Sequence, residues 1–305
     1  MFEDWKELNE SRIDLIDFPL PMEIKLSVKR DDLIHPKVSG NKLYKLKKNL
    51  EKAQDDGIDR IVTFGGAFSN HIAATAAACK YAGLKSVGII RGEIPEELSP
   101  TLAEAQANGM FLKFISRSDY KKKNTPEYLE YIAKLFPESY IIPEGGANLL
   151  GIEGSKAILE GCEDYDYVVC AMGTGTTFAG LVHARHLGQK IIGVPVHKHD
   201  NLKDDIIEID SSFAKLMPSS YEILPDYHFG GYAKWTEELI TFMRSFHKKT
   251  GLVLDPIYTG KAMFALLDLL RNGYYAKGSH ILFIHTGGIQ GIEGFEKRFS
   301  FRIYD

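Results

Sequence analysis

The chain has 305 residues, of which 44% are hydrophobic and 26% are charged. This composition is typical of globular proteins, and the length suffices for two cores of ordinary domain size. The formal charge is 37 − 41 = −4, with lysines spread among acidic residues, so nothing concentrates the positive field that nucleic acid or an anionic lipid surface requires. We therefore expect the partner to be a small molecule.

The sequence also argues against membranes, metals and disulfides. The N-terminal MFEDWKELNE is acidic, and no window approaches about 18 uninterrupted apolar residues, so we expect neither export nor a membrane span. Cys79, Cys162 and Cys170 lack the spacing of a zinc or redox pair, and His197 and His199 lack a carboxylate or thiol partner. We expect buried reduced thiols, no metal and a cytoplasmic location.

The first half of the chain alternates short apolar runs with amphipathic or alanine-rich stretches. Residues 1–23 are expected to form an irregular lead-in. Strands are predicted over residues 24–28, 58–64, 86–90, 110–115 and 140–142. Helices are predicted from about Lys42, where leucines recur at helical spacing, and over residues 70–81, 101–107 and 126–136. Ser39 or Asn41 is the expected cap of the Lys42 helix.

The second half repeats this alternation after residue 146. Strands are predicted over residues 166–172, 190–194 and 280–285, and helices over residues 151–161, 176–187, 235–247 and 260–272. Strands that alternate with helices indicate an α/β protein with parallel sheets covered by helices on both faces. We expect two domains: a small one over residues 46–148, inserted into a large one formed by residues 1–45 and 149–305.

The turn Ser39-Gly40-Asn41-Lys42 is the first candidate for chemistry, because it places an amine at the start of a helix. Taken alone, such an arrangement is common and mostly structural. Ser39-x-x-Lys42 also matches a serine–lysine pair of β-lactamases, but the companion motifs of those enzymes are absent. If Lys42 is only a surface lysine, the chain is an ordinary nucleotide-binding α/β protein.

A second candidate is the segment from Cys170 to Gly180, where an apolar strand ends in glycines and threonines that open a helix. Free amides and the positive end of a helix dipole favour a phosphate there. The spacing is neither a Walker loop nor Gly-x-Gly-x-x-Gly, and a structural glycine turn is the alternative. Residues 64–71 repeat this design with Ser69 and Asn70, although Ser69 would serve equally as a helix cap.

Two more turns complete the pattern. Residues 255–262 read Asp-Pro-Ile-Tyr-Thr-Gly-Lys-Ala, and residues 285–288 read His-Thr-Gly-Gly after the last predicted strand. Open parallel sheets bind ligands at the carboxyl ends of their strands. Thr286 is therefore well placed to contact a ligand.

Together these five stretches resemble one family, in the family's order and over residues 28–290. It is the group of pyridoxal-phosphate enzymes of fold type II that includes 1-aminocyclopropane-1-carboxylate deaminase and D-cysteine desulfhydrase. The resemblance implies pyridoxal 5′-phosphate as cofactor, a two-domain fold similar to the β subunit of tryptophan synthase, a small amino acid as substrate, and a homodimer.

The resemblance also implies a role for each matching residue. Lys42 would bind the cofactor aldehyde covalently and later serve as the base at the substrate α-carbon. The loop residues Gly173, Thr174, Gly175, Thr176 and Thr177 would hold the phosphate. Asn70 would contact the cofactor's phenolic oxygen, and the substrate carboxylate would lie among Phe68, Ser69, Asn70 and His71. Tyr232 and Tyr258 would be the two active-site tyrosines, with the match of Tyr232 the looser one.

Positions 259 and 286 separate the relatives within the family. The deaminase pattern has glutamate and leucine there, whereas this chain has Thr259 and Thr286, assigned as cofactor contacts, and both point to the desulfhydrase. A hydroxyl near the pyridine nitrogen makes a weaker electron sink than a carboxylate, which suits loss of a good β-leaving group. Phe68 and Tyr44 depart from the family by placing aromatic surface beside the carboxylate cradle, and Thr176 replaces a glycine.

The leading prediction is a lyase that converts a small β-substituted amino acid such as D-cysteine to pyruvate, ammonia and the leaving group. The first alternative is the ring-opening deaminase, which yields 2-oxobutanoate and ammonia. Another is a catalytically weak protein that binds the cofactor as a carrier or sensor, a reading that Phe68 and Tyr44 make credible.

Overall fold

The computed structural model describes residues 8–199 and 201–304. Its smaller sheet has four parallel strands in the order β5-β4-β3-β6. These strands are β3 (Arg60–Gly65), β4 (Lys85–Arg91), β5 (Met110–Ile115) and β6 (Tyr140–Ile142). The expected parallel α/β architecture is confirmed in this sheet.

The larger sheet has six strands in the order β1-β2-β10-β7-β8-β9. They are β1 (Ile13–Leu15), β2 (Lys25–Lys29), β7 (Tyr167–Met172), β8 (Lys190–Pro195), β9 (Tyr221–Ile223) and β10 (His280–Ile284). All neighbouring strands run parallel except β1, which pairs antiparallel with β2. The irregular lead-in expected over residues 1–23 is therefore wrong at residues 13–15, and residues 1–7 lie outside the described residues.

Eleven α-helices connect and cover the two sheets in the part of the chain that the structure describes. They are α1 (Asn41–Asp55), α2 (Asn70–Tyr81), α3 (Pro100–Ala107), α4 (Arg117–Tyr120), α5 (Pro126–Leu135), α6 (Leu149–Ser155), α7 (Thr176–Ala184), α8 (Leu202–Ile209), α9 (Glu237–Thr250), α10 (Thr259–Arg271) and α11 (Gly291–Phe299). Short 3₁₀ turns, such as residues 144–146 and 156–159, lie between them.

Alternate residues of the central strands pack on opposite faces of each sheet. In β3, Ile61 packs against α1 and α2, while Val62 belongs to a cluster with side chains of α4 and α5. In β7, Val169 packs with α9 and α10, while Val168 packs with α7 and α8. This period of two requires apolar residues on both faces, which explains the continuous apolar runs of these strands.

Three shorter findings complete the fold. The three cysteines are free and buried, as expected. No helix in the described part of the chain is long and apolar enough to cross a membrane. The groups of histidine, cysteine, aspartate and glutamate that could hold a metal ion are likewise absent among residues 8–199 and 201–304.

Candidate active site

Lys42 is the second residue of α1, and the helix begins where the chain passes close to the end of β10. Gly40 precedes the helix with φ +64°, and a Cβ at this position would overlap the carbonyl of Thr286. Only glycine combines that conformation with so close an approach. The expected cap by Ser39 or Asn41 is wrong, because neither side chain caps the helix.

The Asn41 side chain instead connects the lysine to the glycine–threonine loop. Its Nδ2 donates to Thr177 Oγ1 over 2.8 Å, and its Oδ1 accepts a hydrogen bond from Lys42 Nζ, also over 2.8 Å. Burial lowers the pKa of Lys42 to about 8, and the charge of Asp255 opposes part of that shift. A larger share of the amine is therefore neutral, and nucleophilic, near pH 7 than in an exposed lysine.

The glycine–threonine loop after β7 ends at α7, whose first residue is Thr176. Gly175 adopts φ +78°, and no side chain caps the helix, so its first amides remain available to an anion. The Thr174 and Thr176 hydroxyls lie 2.9 Å apart. Thr176 is fully buried, and the position of a Cβ on Gly151 would lie 3.1 Å from its methyl group, so the extra side chain packs behind the loop.

Lys45 is a neighbour of this site that sequence reasoning missed. It lies one turn after Lys42 and is buried, with Nζ donating to the Gly145 carbonyl over 3.2 Å. Burial and the charge of Lys42 lower the pKa of Lys45 well below its ordinary value. A Cβ on Gly145 would lie 2.8 Å from the Thr174 methyl group, so Lys45 reaches a carbonyl that borders the loop. The i, i+3 spacing of the two lysines was the available signal.

The turn after β3 supplies the second cluster. Ser69 caps α2 by accepting from the Ile72 amide over 3.3 Å, which leaves its hydroxyl hydrogen free to be donated. Asn70 Oδ1 is buried without a hydrogen-bond partner among the described residues. Phe68 is half-buried, and a Cβ on Gly294 would lie 2.9 Å from its ring. The aromatic ring thus packs on α11.

His71 is held as a neutral imidazole. The Thr63 hydroxyl donates to the Ile142 carbonyl over 2.8 Å, so it must accept from His71 Nε2, which lies 2.8 Å away. Burial lowers the pKa of His71 well below its ordinary value, with help from the charges of Lys42 and Lys45. His71 Nδ1 is consequently an unprotonated acceptor, and it has no partner among the described residues.

Asp255 organises the start of α10 and was not singled out from the sequence. Its buried carboxylate accepts hydrogen bonds from the amides of Ile257, Tyr258 and Thr259 and from the Thr259 hydroxyl, all over 2.8 to 2.9 Å. A Cβ on Gly288 would lie 3.2 Å from both Asp255 Oδ1 and Asn70 Nδ2. The turns after β3 and β10 and the start of α10 therefore meet at Gly288.

The two tyrosines lie together beside the glycine–threonine loop. The Tyr258 and Tyr232 rings are 6.2 Å apart in an edge-on arrangement, and a Cβ on Gly173 would lie 3.3 Å from the Tyr258 ring. Burial and the neighbouring Tyr232 phenol raise the pKa of Tyr258 well above its ordinary value. Tyr258 therefore keeps its proton near neutrality, while Tyr232 remains 45% exposed.

A cluster of charged residues that sequence reasoning also missed surrounds Tyr120 and includes Arg91, the last residue of β4. The Arg91 guanidinium and the Lys123 amine lie 5.7 and 5.1 Å from the centre of the Tyr120 ring. Lys123 also pairs with Glu144 over 3.3 Å. A Cβ on Gly66 would lie 3.4 Å from Arg91, so this cluster lies beside the turn that carries Ser69.

Tyr44 does not take the position expected for it beside the carboxylate cradle. Its hydroxyl donates to Asp31 Oδ1 over 3.2 Å, and its ring packs against the apolar cluster between the large sheet and α7. Two residues along a helix from Lys42, its side chain points to a different face. The Tyr44 side chain therefore packs against the large sheet and does not contact the carboxylate cradle.

These features fit a ligand that carries an aldehyde and a phosphate. The uncapped α7 offers amides and threonine hydroxyls to a dianion, and the buried Lys45 amine beside this loop would regain its charge next to one. Lys42 has the lowered pKa that covalent attachment to an aldehyde requires. The buried amide oxygen of Asn70, which lacks a partner among the described residues, offers a further polar contact.

Comparison with known proteins agrees with this fit. The family described as pyridoxal-phosphate dependent enzyme matches residues 16–287. A putative 1-aminocyclopropane-1-carboxylate deaminase of Pyrococcus horikoshii is 33% identical, over 92% of each chain. The bifunctional mitochondrial D-cysteine desulfhydrase/1-aminocyclopropane-1-carboxylate deaminase of Arabidopsis thaliana is 32% identical, over 90% of this chain and 74% of its own length.

A solved structure of an ACC deaminase homologue superposes with a TM-score of 0.81 at 29% identity, covering 96% of this chain and 94% of the other. The family prediction and the fold type II prediction are thereby confirmed. The chain belongs to the family of pyridoxal-phosphate-dependent enzymes, and pyridoxal 5′-phosphate is its cofactor.

Proposed function

We propose that the protein is a lyase that removes ammonia and a β-substituent from a small amino acid, with D-cysteine as the leading substrate. One D-cysteine and one water would give pyruvate, ammonia and hydrogen sulfide. The proposal rests on the proposed roles of the site residues, which the family resemblance suggests and the geometry above supports.

The state of Thr259 is the observation that carries this choice. The family resemblance assigns this position to the cofactor's ring nitrogen, where the deaminase pattern has a carboxylate. Here the hydroxyl donates to Asp255 Oδ1 and accepts from the Asp255 amide, both over 2.8 Å. The bound cofactor supplies an electron sink for the α-carbon, and a site without a carboxylate at position 259 suits a substrate whose leaving group departs readily.

Lys42 would take the proton from the substrate α-carbon. Its pKa of about 8 leaves part of the amine neutral near pH 7 and able to accept that proton. The Asn41 carbonyl oxygen, 2.8 Å from Nζ, orients the amine. The α-proton thus moves to Nζ as the Cβ–S bond breaks and its electron pair leaves with sulfur.

The Ser69 turn would bind the substrate carboxylate. The Ser69 hydroxyl accepts from the Ile72 amide and can donate its own hydrogen to a carboxylate oxygen. His71 presents only an acceptor at Nδ1, so it would contact a donor group and orient the substrate rather than neutralise the carboxylate. Phe68 would bound this cradle with its ring.

Tyr258 would donate a hydrogen bond to the departing sulfur, which leaves as the hydrosulfide anion. The raised pKa of Tyr258 makes it a hydrogen donor at neutral pH, and the Tyr232 ring, 6.2 Å from its own, shields it on one side. The amides and hydroxyls of the loop that includes Thr174 and Thr177 would bind the phosphate.

A second candidate is 1-aminocyclopropane-1-carboxylate deaminase, which would yield 2-oxobutanoate and ammonia from its substrate and one water. The name of the Pyrococcus relative favours it, whereas the name of the Arabidopsis relative includes both activities. Thr259 and Thr286 stand against it in the family resemblance. The two reactions release different oxo acids, so one experiment separates them.

The purified protein, loaded with cofactor, is assayed with D-cysteine for pyruvate and sulfide, and with 1-aminocyclopropane-1-carboxylate for 2-oxobutanoate. We expect pyruvate and sulfide, and a loss of about 10³-fold or more in Lys42→Ala. Lys47→Ala, an exposed lysine of the same helix, is the control. Turnover of the cyclopropane alone would select the second candidate, and cofactor binding without turnover of any amino acid would indicate a carrier or sensor.

We further propose that the enzyme acts in the cytoplasm as a homodimer. The domain boundaries at residues 45/46 and 148/149 are retained as a proposal, supported by the confinement of the four-stranded sheet to residues 60–142. Light scattering tests the homodimer, and limited proteolysis tests the domain boundaries.

A further inference from the structure

Lys261 is a buried charged residue for which the proposed chemistry has no use. It is the third residue of α10, and its side chain has no exposed surface. Its Nζ donates to the carbonyl oxygens of Val196, His228 and Gly231 over 3.1, 2.8 and 2.9 Å. Each of the three ammonium hydrogens can thus have one acceptor.

The three carbonyls belong to segments that are far apart in the chain. Val196 follows β8, whereas His228 and Gly231 belong to the loop that precedes α9. The backbone of that loop is unusual, because Phe229, Gly230, Gly231 and Ala233 all have positive φ. Such conformations persist only where surrounding structure imposes them.

The ammonium bonds lie next to the chemistry in sequence and in space. Gly231 directly precedes Tyr232, and Lys261 is three residues after Tyr258, which precedes the first residue of α10. The two tyrosine rings are 6.2 Å apart. Tyr232 is 45% exposed as a whole, but its phenol interacts with that of Tyr258, so the backbone that carries Tyr232 must hold the two phenols together.

We propose that Lys261 is a positioning residue, whose ammonium holds the 228–233 loop against α10 and so places Tyr232 beside Tyr258. This inference rests on the proposed function for the role of the two tyrosines. A hydrogen bond to one carbonyl would only satisfy that oxygen. Hydrogen bonds to the carbonyls of both His228 and Gly231 determine how the loop turns. The third bond, to Val196, ties that turn to the end of β8.

The chemistry of the group supports this role. Burial lowers the pKa of Lys261 to about 8, and the charge of Asp255 opposes the shift. The amine is therefore mainly charged at neutral pH in spite of its burial, and three carbonyl oxygens accept its hydrogens. A merely space-filling position would be occupied at less cost by an apolar side chain.

The test compares Lys261→Met with Lys190→Met, whose amine bonds Glu222 and Tyr274 at the start of β8. Tyr232→Ala and the double variant Tyr232→Ala/Lys261→Met complete a double-mutant cycle. We expect Lys261→Met to lower kcat/KM by about 10- to 100-fold with the absorbance band of lysine-bound cofactor retained. In the Tyr232→Ala background the same change should cost less than about twofold, because coupled residues are not additive.

A second measurement does not depend on the substrate. Lys234 is exposed directly after the 228–233 loop. Because local opening governs cleavage at such a site, trypsin should cleave after Lys234 at least about tenfold faster in Lys261→Met than in the wild type or Lys190→Met. Wild-type protein that turns over neither substrate would contradict the proposed function and leave the cleavage test intact. Unchanged cleavage at Lys234, or losses that multiply in the double variant, would overturn the positioning role.

Discussion

The side-chain amide of Asn41 donates to Thr177 Oγ1 over 2.8 Å, between residues that are 136 positions apart in the chain. The same side chain accepts from Lys42 Nζ. One buried amide therefore joins the start of α1 to the start of α7. It links the amine that we propose to bind the cofactor to the helix that we propose to receive its phosphate.

Replacing the Asn41 amide should remove its hydrogen bonds to both Thr177 and Lys42. In Asn41→Leu the shape is nearly kept, but the Thr177 hydroxyl and the Lys42 amine lose a partner. We expect the free energy of unfolding to fall by about 1–3 kcal/mol and cofactor affinity to fall about tenfold. Denaturant unfolding and cofactor titration measure the two effects. Asn272→Leu, at an exposed helix end, should change neither, and an unaltered Asn41→Leu protein would refute the link.

The lowered pKa of Lys42 predicts how covalent attachment of the cofactor depends on pH. Only the neutral amine attacks an aldehyde, so the rate of attachment should rise with pH and level off above about 8. At pH 7 about one amine in ten is then neutral, against fewer than about one in a thousand for an ordinary lysine. Stopped-flow absorbance of apoprotein mixed with pyridoxal phosphate between pH 6 and 10 gives the midpoint.

A variant of Asp255 provides a check on the pH dependence of the attachment rate. The charge of Asp255 raises the pKa of Lys42, so Asp255→Asn should move the midpoint to lower pH. A rate that still rises steeply between pH 9 and 10 would show that the amine titrates as an exposed lysine.

Gly40 and Gly57 form a matched pair for the entry into α1. Both have positive φ, +64° and +70°, but a Cβ at Gly40 would overlap the Thr286 carbonyl, whereas a Cβ at Gly57 meets nothing within 4 Å. Gly57→Ala should cost about 1–2 kcal/mol from backbone conformation alone. Gly40→Ala should cost more and also displace Lys42.

Thermal unfolding of the two variants and the absorbance of lysine-bound cofactor provide the readouts. We expect the absorbance to be normal in Gly57→Ala and reduced in Gly40→Ala. Equal losses of stability, with normal cofactor absorbance in both, would mean that Thr286 moves aside at little cost.

Lys45 should affect the apoprotein and the holoprotein in opposite directions. The pKa of Lys45 is lowered in the folded state. The buried amine therefore opposes folding at pH values below about 10.5, the pKa of a lysine in the unfolded chain. Lys45→Met should therefore leave the melting temperature of the apoprotein at pH 7 unchanged or higher.

Cofactor affinity should fall in the same variant, because we expect the Lys45 amine to become charged beside the bound phosphate and to donate to it. A charged hydrogen bond contributes about 1.5–3 kcal/mol, which corresponds to about 10- to 150-fold in the dissociation constant. Lys47→Met, exposed on the same helix, is the control. A variant that loses apoprotein stability but binds the cofactor normally would assign Lys45 to packing instead.

Local sequence predicts the strands and helices well where their periodicity is strong. The α2 helix and strands β5 and β6 have the expected bounds, because their patterns end at clear turn residues. Strand β9 and helices α8 and α11 were not predicted. These elements have only three, eight and nine residues, so each contains too few repeats for its period to stand out, and tertiary packing decides the conformation.

The site shows the same division. The glycine turns and Lys42 could be read from the sequence because they are punctuated by residues with special backbone freedom. Lys45, Asp255 and Arg91 carry no such local mark, and they matter only because distant segments converge on them. The position of Tyr44 was mistaken for the same reason, since a sequence does not say which neighbour a helix face will meet.

The sequence by itself therefore determined the architecture of parallel sheets, the family and the cofactor, because periodicity, glycine turns and motif order are local or linear properties. Only the tertiary structure decided that Asn41 joins Lys42 to Thr177, that Thr259 gives its hydrogen to Asp255, and that Lys261 holds the loop of Tyr232. Hydrogen bonds between residues far apart in the chain, and the burial that shifts the pKa of an amine, exist only after the two sheets and their helices have packed.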